Sequence, residues 1–479
     1  MRRDRIVPLI VAVALFMENM DSTVIATSLP AIAADIGTNP LSLKLALTSY
    51  LLSLAVFIPM SGWTADRFGA RTVFTAALAV FMLGSIGCAM ASSLEDFVIA
   101  RIVQGMGGAM MTPVGRLVLV RTIDKRELVN AMAWVTAPAL IGPVIGPPVG
   151  GFITTYASWH WIFLINIPIG LLGIAFALKY IDPVRADDPE PFDGVGMLLA
   201  SLGVAGLAFG LSVAGLDLLP WTIVAALIGG GAVAMTLYVF HAHKVKAPPL
   251  DFRLSRYPTF HAALVGGFLF RLGIGAIPFL LPLMLQVGFG MTPFQSGLVT
   301  FATAVGALGM KTVAARIIGT FGFRPVLTIV GVVSAVFLAA CAAFTPTTPM
   351  VIIFLILLVG GFFRSLTFTS INTIAYAEVH ARELSRATAL MAVSQQLSIS
   401  AGVAIGAAVV EATLRWKGAT AISAGDFWPA FLVVAAISAL AAIFFARLPP
   451  DAGAEMSGHK SAKTADPIAA GETSDQKLG

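Results

Sequence analysis

Charge is scarce in this sequence. Only 11% of its 479 residues are Asp, Glu, Lys or Arg, against 58% hydrophobic, and the mean hydropathy is +0.90. So few charges cannot cover a globular surface, which excludes a soluble domain and indicates a polytopic membrane protein. Cysteine is scarce too: Cys88 and Cys341 lie in apolar segments far apart, so free thiols are expected and no disulfide framework. The six histidines are scattered, and none pairs with cysteine or carboxylate at ligand spacing, so no metal is expected. A Gly-rich phosphate loop followed by Lys-Ser/Thr is missing, which argues against ATP-driven work. A G-x-S-x-G nucleophile motif is missing as well. No enzyme and no cofactor are therefore expected. A pI near 9.3 could suggest nucleic acid, but the basic residues are scattered through loops, and membrane orientation explains them better.

What is present is a series of apolar runs. They predict fourteen membrane helices, from 6–29 to 427–447, including 129–154 and 295–317. The first run carries Glu18 and Asp21 and is too long for a signal-peptide core, so it reads as a spanning helix. With the N-terminus in the cytoplasm, Lys44, Arg415 and Lys417 are the only basic residues in external connections. That asymmetry predicts a multi-pass protein of the cell (inner) membrane with both termini cytoplasmic. An acidic, proline-rich connection (Asp182–Asp193) and a basic one (His241–Pro258) bracket a helix pair. A turn also repeats: Gly62 to Arg71 follows the second helix, and Ala315 to Arg324, with Phe, Gly and Arg aligned, follows the tenth. Internal repeats of this kind build secondary transporters. The expected division is a six-helix bundle at 1–181, two inserted helices at 194–240 and a second six-helix bundle at 259–447. A disordered cytoplasmic tail follows at 448–479.

Candidate chemistry is concentrated in a few positions. Glu18 and Asp21, three residues apart, are the only carboxylates deep in a predicted helix. Such groups face a cavity or a partner and mark a proton or substrate path, or else form a polar clamp between helices. Arg101 lies at similar depth in the fourth helix and is their best partner, either as a coupling element or as a permanent clamp. In the second half, Arg271 and Arg364 lie near mid-helix and could bind an anionic substrate group or hold carbonyls, while Lys311 is close enough to the surface to snorkel. The run from Ala131 to Ile153 holds Pro138, Pro143, Pro147 and Pro148, with Gly142, Gly146 and Gly150 along one face. In lipid such a helix bends rather than melts. Its small residues suit either a static helix contact or a sliding interface between two halves.

These stretches resemble the major facilitator superfamily, within it the fourteen-helix drug:proton antiporters. Asp21 to Pro30 looks like the helix 1 signature, and Gly62 to Arg71 is similar to the loop 2–3 motif, with Ala70 where a basic residue is usual. Arg101-Ile-Val-Gln104-Gly105-Met-Gly107 matches the helix 4 motif, and Gly142 to Gly151 matches the antiporter motif of helix 5. Trp159 to Pro168 looks like the start of helix 6, with His160 in place of the usual arginine. Phe362 to Thr373 looks like a branch whose substrates are poorly defined.

The resemblance implies an all-α fold of two six-helix bundles plus two inserted helices. It also implies export of small lipophilic or amphipathic compounds, driven by the proton gradient and by rocking of the bundles. Under it, Asp21, Glu18 and Arg101 couple the proton, with Asp21 slightly favoured over Glu18 as its carrier. Gly62, Asp66, Arg67, Gly69 and Arg71 latch the cytoplasmic side, with Gly62 and Gly69 shaping the turn. Gly142, Pro143, Gly146, Pro147, Gly150 and Gly151 form a gate whose Gly146 and Gly150 face helix 10. Gln104, Arg271, Arg364 and Asn372 are candidates to line the substrate cavity. The expected partners are a small molecule, protons and the bilayer, with no nucleic acid and a monomeric chain. A metabolite uniporter or symporter of the same fold, or a non-transporting receptor or scaffold, are the alternatives.

Overall fold

A computed structural model describes residues 3–122, 141–142, 145–183, 193–213, 219–245, 248–380, 383–419 and 421–457. Among them, twelve helices are long and apolar enough to cross a bilayer. An apolar backbone segment in lipid must satisfy its own hydrogen bonds, and the helix does this within one segment. In chain order the helices are α1 (Ile6–Thr27), α2 (Lys44–Phe68), α3 (Ala70–Met90), α4 (Leu94–Leu119), α5 (145–156), α6 (Trp161–Tyr180) and α7 (Gly194–Leu211). There follow α8 (Trp221–Lys244), α9 (Pro258–Gly288), α10 (Pro293–Lys311), α11 (Phe323–Ala343), α12 (Met350–Ile374), α13 (Arg386–Lys417) and α14 (Ala424–Ala446).

Two of the fourteen expected spans are not among the twelve. Most of 129–154 lies outside the described residues, and α5 is the part that is seen. The other, α10, is a 19-residue helix whose apolar content is diluted by Gly297, Thr300, Thr303 and Gly306. The dilution has a packing reason. A Cβ at Gly306 would meet the Leu358 carbonyl of α12, and one at Gly361 would meet the Thr303 carbonyl of α10. α10 therefore exchanges hydrophobicity for close backbone contact.

Val7, Ala65, Ala70 and Ile181 share one apolar cluster, so the start of α1, the α2–α3 turn and the end of α6 lie on a common face, here the terminal face. Beyond α14, Leu448 joins the cluster that holds Phe323 and Ile374, and Gly453 packs on both. This packing reaches Gly453, inside the segment expected to be a disordered tail, and a short helix, Ala454–Ser457, follows; 458–479 lie outside the described residues.

The repeated turn has the same backbone in both copies. Gly69 (φ 92°) separates the helix Ser61–Phe68 from α3, and Gly322 (φ 76°) separates Ala314–Phe321 from α11. Only glycine takes that conformation without strain. Gly62, expected to help shape the first turn, instead lies inside the helix, exposed and with nothing close to it.

The apolar cores show how the halves meet. At the far face a single cluster joins both: Leu43, Phe97 and Phe163 from the first half, Phe279, Met284, Val299 and Phe427 from the second. Towards the terminal face the cores are separate. One is built from α1, α3, α4, α6 and residues of α2 such as Tyr50, Leu54 and Ala65, the other from the second half with α7, α8 and two further residues of α2, Leu52 and Ala55. Both inserted helices lean on α2, since Val213 and Val224 also pack on Leu45.

Candidate functional site: a buried polar cluster and the contact between halves

Asp21 lies in the middle of a cluster that four helices supply. Arg101 Nη1 of α4 donates to Asp21 Oδ2 at 2.7 Å. Gln104 Nε2 (α4) and Asn166 Nδ2 (α6) each donate to Asp21 Oδ1 at 2.9 Å, and both also donate to Ser85 Oγ of α3, at 2.9 and 3.2 Å. Arg101 donates further to the Ala46 carbonyl of α2 and to Gln104 Oε1, and its guanidinium stacks 4.1 Å from the Tyr50 ring. Asp21, Ser85, Arg101, Gln104 and Asn166 are all fully buried. A buried ion pair survives only where further hydrogen bonds satisfy its remaining atoms, and this one has them. Gln104, expected in a substrate cavity, is instead part of the clamp.

Glu18 is placed differently. It is half-buried, and one hydrogen bond is described for it, from Thr112 Oγ1 to Oε2 at 2.8 Å. The two acids thus separate into one that is fully committed and one that is not. Sequence reading missed Ser85, Tyr50 and Thr112 and gave Asn166 no role. The available signal was a lone polar side chain in an otherwise apolar run, as at Ser85 and Asn166.

At the far face the halves touch through a small set of polar and backbone contacts. Lys44 Nζ at the start of α2 is 3.2 Å from Glu411 Oε1 of α13, and Gln286 Nε2 donates to the Thr27 carbonyl at 2.8 Å. The Phe294 amide donates to Thr155 Oγ1 at 3.1 Å, and the Phe294 ring packs on Phe152 and Tyr156. A Cβ at Gly151 would strike the Pro293 backbone, and one at Gly297 would strike that of Pro147.

This corrects the expected direction of the glycine stripe. Gly142, Gly146 and Gly150 face α1, against the Phe16 carbonyl, Thr23 and the Val24 carbonyl. Gly151, one residue off the stripe, is the glycine that meets α10. The stripe holds the first half together because helix periodicity puts every fourth residue on the side towards α1. Pro143 lies outside the described residues.

The other expected site residues are dispersed. Asp66 is half-buried, Arg67 is exposed, and Arg71 Nη1 donates weakly to the Ile181 carbonyl at 3.4 Å. Lys311 reaches Thr369 Oγ1 at 2.7 Å. Arg271 Nη2 donates to Asn372 Oδ1 at 2.8 Å, while Arg364, on the same helix as Asn372, is half-buried. Among the described residues no group of histidine, cysteine and carboxylate could hold a metal ion.

Twelve helices fit to span a bilayer, with an Asp–Arg clamp buried among four of the first six, define a polytopic membrane protein. The chain belongs to the Major Facilitator Superfamily, whose profile matches residues 11–248 and 263–472. It is 40% identical over 450 residues to a Salmonella paratyphi A protein named "Putative multidrug resistance protein MdtD", covering 92% of this chain and 94% of that one. The protein of the same name from Salmonella typhi matches at the same identity and coverage. Among solved structures, a D-xylose-proton symporter superposes with a TM-score of 0.66 at 15% identity, over 94% of this chain and 98% of that one. A mutant form of the nucleoside transporter NupG superposes with a TM-score of 0.63 at 12% identity, over 92% and 98%. At those identities the structural likeness concerns the fold alone.

Proposed function

We propose that this protein is a proton-coupled exporter of small lipophilic or amphipathic compounds, working by alternating access of two six-helix bundles. Its fourteen helices, counting α5 and α10, cross the cell membrane with both termini in the cytoplasm, and the chain acts as a monomer. The multidrug-resistance name of its relatives supports the substrate class, and the Lys/Arg asymmetry supports the orientation. The terminal face is then cytoplasmic. The far-face core that takes residues from both halves supports a chain closed on the outside.

The observation that carries the coupling is the difference between the two acids. Glu18, half-buried and held by Thr112, is free to gain and lose a proton as the cavity changes side. Asp21 keeps α1, α3, α4 and α6 in register through its clamp. The roles are therefore the reverse of the ranking that motif resemblance favours. Proteoliposomes with an imposed pH gradient and a panel of lipophilic cations and neutral compounds test the assignment. Wild type should concentrate at least one compound against its gradient. Glu18→Gln should still exchange that compound downhill but lose uphill transport and its pH dependence. Unchanged uphill transport by Glu18→Gln would overturn the role.

A further inference from the structure

Arg271 of α9 is fully buried, and Nη2 is its one bonded nitrogen, to Asn372 Oδ1. Its Nε and Nη1 are buried without any hydrogen-bond partner, as is Nη2 of Arg364. The contrast with Arg101, which has a carboxylate, an amide and a carbonyl around it, is direct. A guanidinium keeps its charge in a protein, and a buried charge lacking partners is unfavourable unless something answers it. No acid of its own helix or of the helix that bonds it does: neither α9 nor α12 contains an Asp or Glu. Of the intramembrane acids, Asp21 is paired with Arg101, Glu411 with Lys44, and Glu18 of the first half is held by Thr112.

Arg364, Phe368, Asn372 and Tyr376 recur every fourth residue and so follow one face as α12 runs out past Ile374. The Arg271 guanidinium lies 5.6 Å from the centre of the Phe368 ring. Each residue of the stripe is half-buried. Two cations, an amide and an aromatic ring along one half-buried face suit a molecule with an acidic head and an apolar body.

Resting on the transporter reading above, we infer that Arg271, Asn372 and Arg364 form a subsite for the anionic group of a substrate, a carboxylate, phosphate or sulfonate. The ligand supplies the negative charge that α9 and α12 lack. Transported molecules then include amphipathic acids as well as the neutral or cationic compounds that the first half's acids would accept.

The test is equilibrium binding by the full-length protein in detergent, read as thermal stabilisation, with benzoate and inorganic sulfate as anions and benzamide as the neutral match of benzoate. Wild type should melt several degrees higher with at least one anion and not with benzamide. Arg271→Met should melt no lower than wild type without ligand, because the unanswered charge is gone, and should lose the anion response. Arg271→Lys should keep part of it. An anion response that survives Arg271→Met overturns the subsite. So does a wild type indifferent to both anions, or a variant that is simply less stable. Nanodiscs of phosphatidylcholine with and without phosphatidylglycerol separate the two sources of an anion. Arg271-dependent stabilisation by phosphatidylglycerol that benzoate cannot displace assigns the charge to a lipid headgroup and overturns the substrate role. No proton gradient enters these measurements, so failure of the Glu18 assignment leaves this result standing, and failure here leaves that one standing.

Discussion

Arg101 Nη1 stands 2.7 Å from Asp21 Oδ2 with both side chains fully buried, and each is bonded further by groups from other helices. Removing one member of such a pair leaves the other charged, buried and unpartnered, at a cost of about 3–5 kcal/mol. Asp21→Asn and Arg101→Ala should therefore both lower the melting temperature of the purified protein. The double variant should be less harmful than the sum, because the two residues form one unit. A melting temperature unchanged in Asp21→Asn, together with lost pH-driven transport, would return the proton to Asp21.

The Lys44–Glu411 pair predicts a second outcome. Lys44 is almost fully buried and joins the first half to α13 at the far face. Opening that face would rehydrate the ammonium, so the pair stabilises the closed arrangement. Glu411→Gln should weaken closure by on the order of 1–3 kcal/mol, the usual cost of leaving a buried polar group unsatisfied. Ser28→Cys, fully buried at this face, should then react faster with a membrane-impermeant thiol reagent applied from outside. The native Cys88 and Cys341 are buried and give little background. Equal labelling with and without Glu411→Gln would remove the pair from the gate.

Much of this was legible in the sequence because lipid imposes simple rules. Length and hydropathy define the spans, and scarcity makes each intramembrane charge conspicuous, so Asp21 and Arg101 could be paired by depth alone. What was not legible follows from two-body geometry. Gly150 and Gly151 look equivalent in a glycine-rich motif, yet one residue of rotation sends the first to α1 and the second to α10. Glu18 and Asp21 are chemically alike, and only the donors brought by α4 and α6 separate them. The apolar run at 295–317 does mark α10, but not why it carries glycine and threonine where a lipid-facing helix carries leucine: it packs backbone to backbone.

At the terminal face, Asp251 receives Arg253 Nε and Arg386 Nη1, each at 2.8 Å, tying the α8–α9 connection to the start of α13. Burial pushes its carboxyl up, but the Arg253 hydrogen bonds and charge, with Arg386, outweigh burial and hold it below the usual carboxylate range. The sign follows from linkage. A depressed folded-state pKa contributes stability that is fully present above the unfolded value, about 3.9, and is lost as pH falls through the lower folded value. Asp251→Asn should therefore destabilise the protein at pH 7 and flatten the part of the acid-side stability loss that lies below about pH 4. Melting curves of both proteins between pH 7 and pH 3 provide the check. Parallel curves would show that Asp251 does not carry the pH dependence.

The two glycines of α5 give the sharpest separation between holding the fold and moving it. Gly146 packs on Thr23 within the first half, a contact that rigid-body rocking would leave intact. Gly146→Leu should lower the melting temperature through overpacking of about 1–3 kcal/mol, and transport should fall with it. Gly151 meets the Pro293 backbone of the other half, and the reciprocal Gly297 meets Pro147. Backbone on both sides leaves no flexible side chain to yield, so a leucine at 151 would keep the far face from closing. Each half would remain packed as before. Gly151→Leu should thus keep near-wild-type stability and still bind substrate, yet stop transport while Ser28→Cys becomes reactive from outside. Loss of stability matching that of Gly146→Leu, with Ser28→Cys still protected, would mean that Gly151 merely fills space.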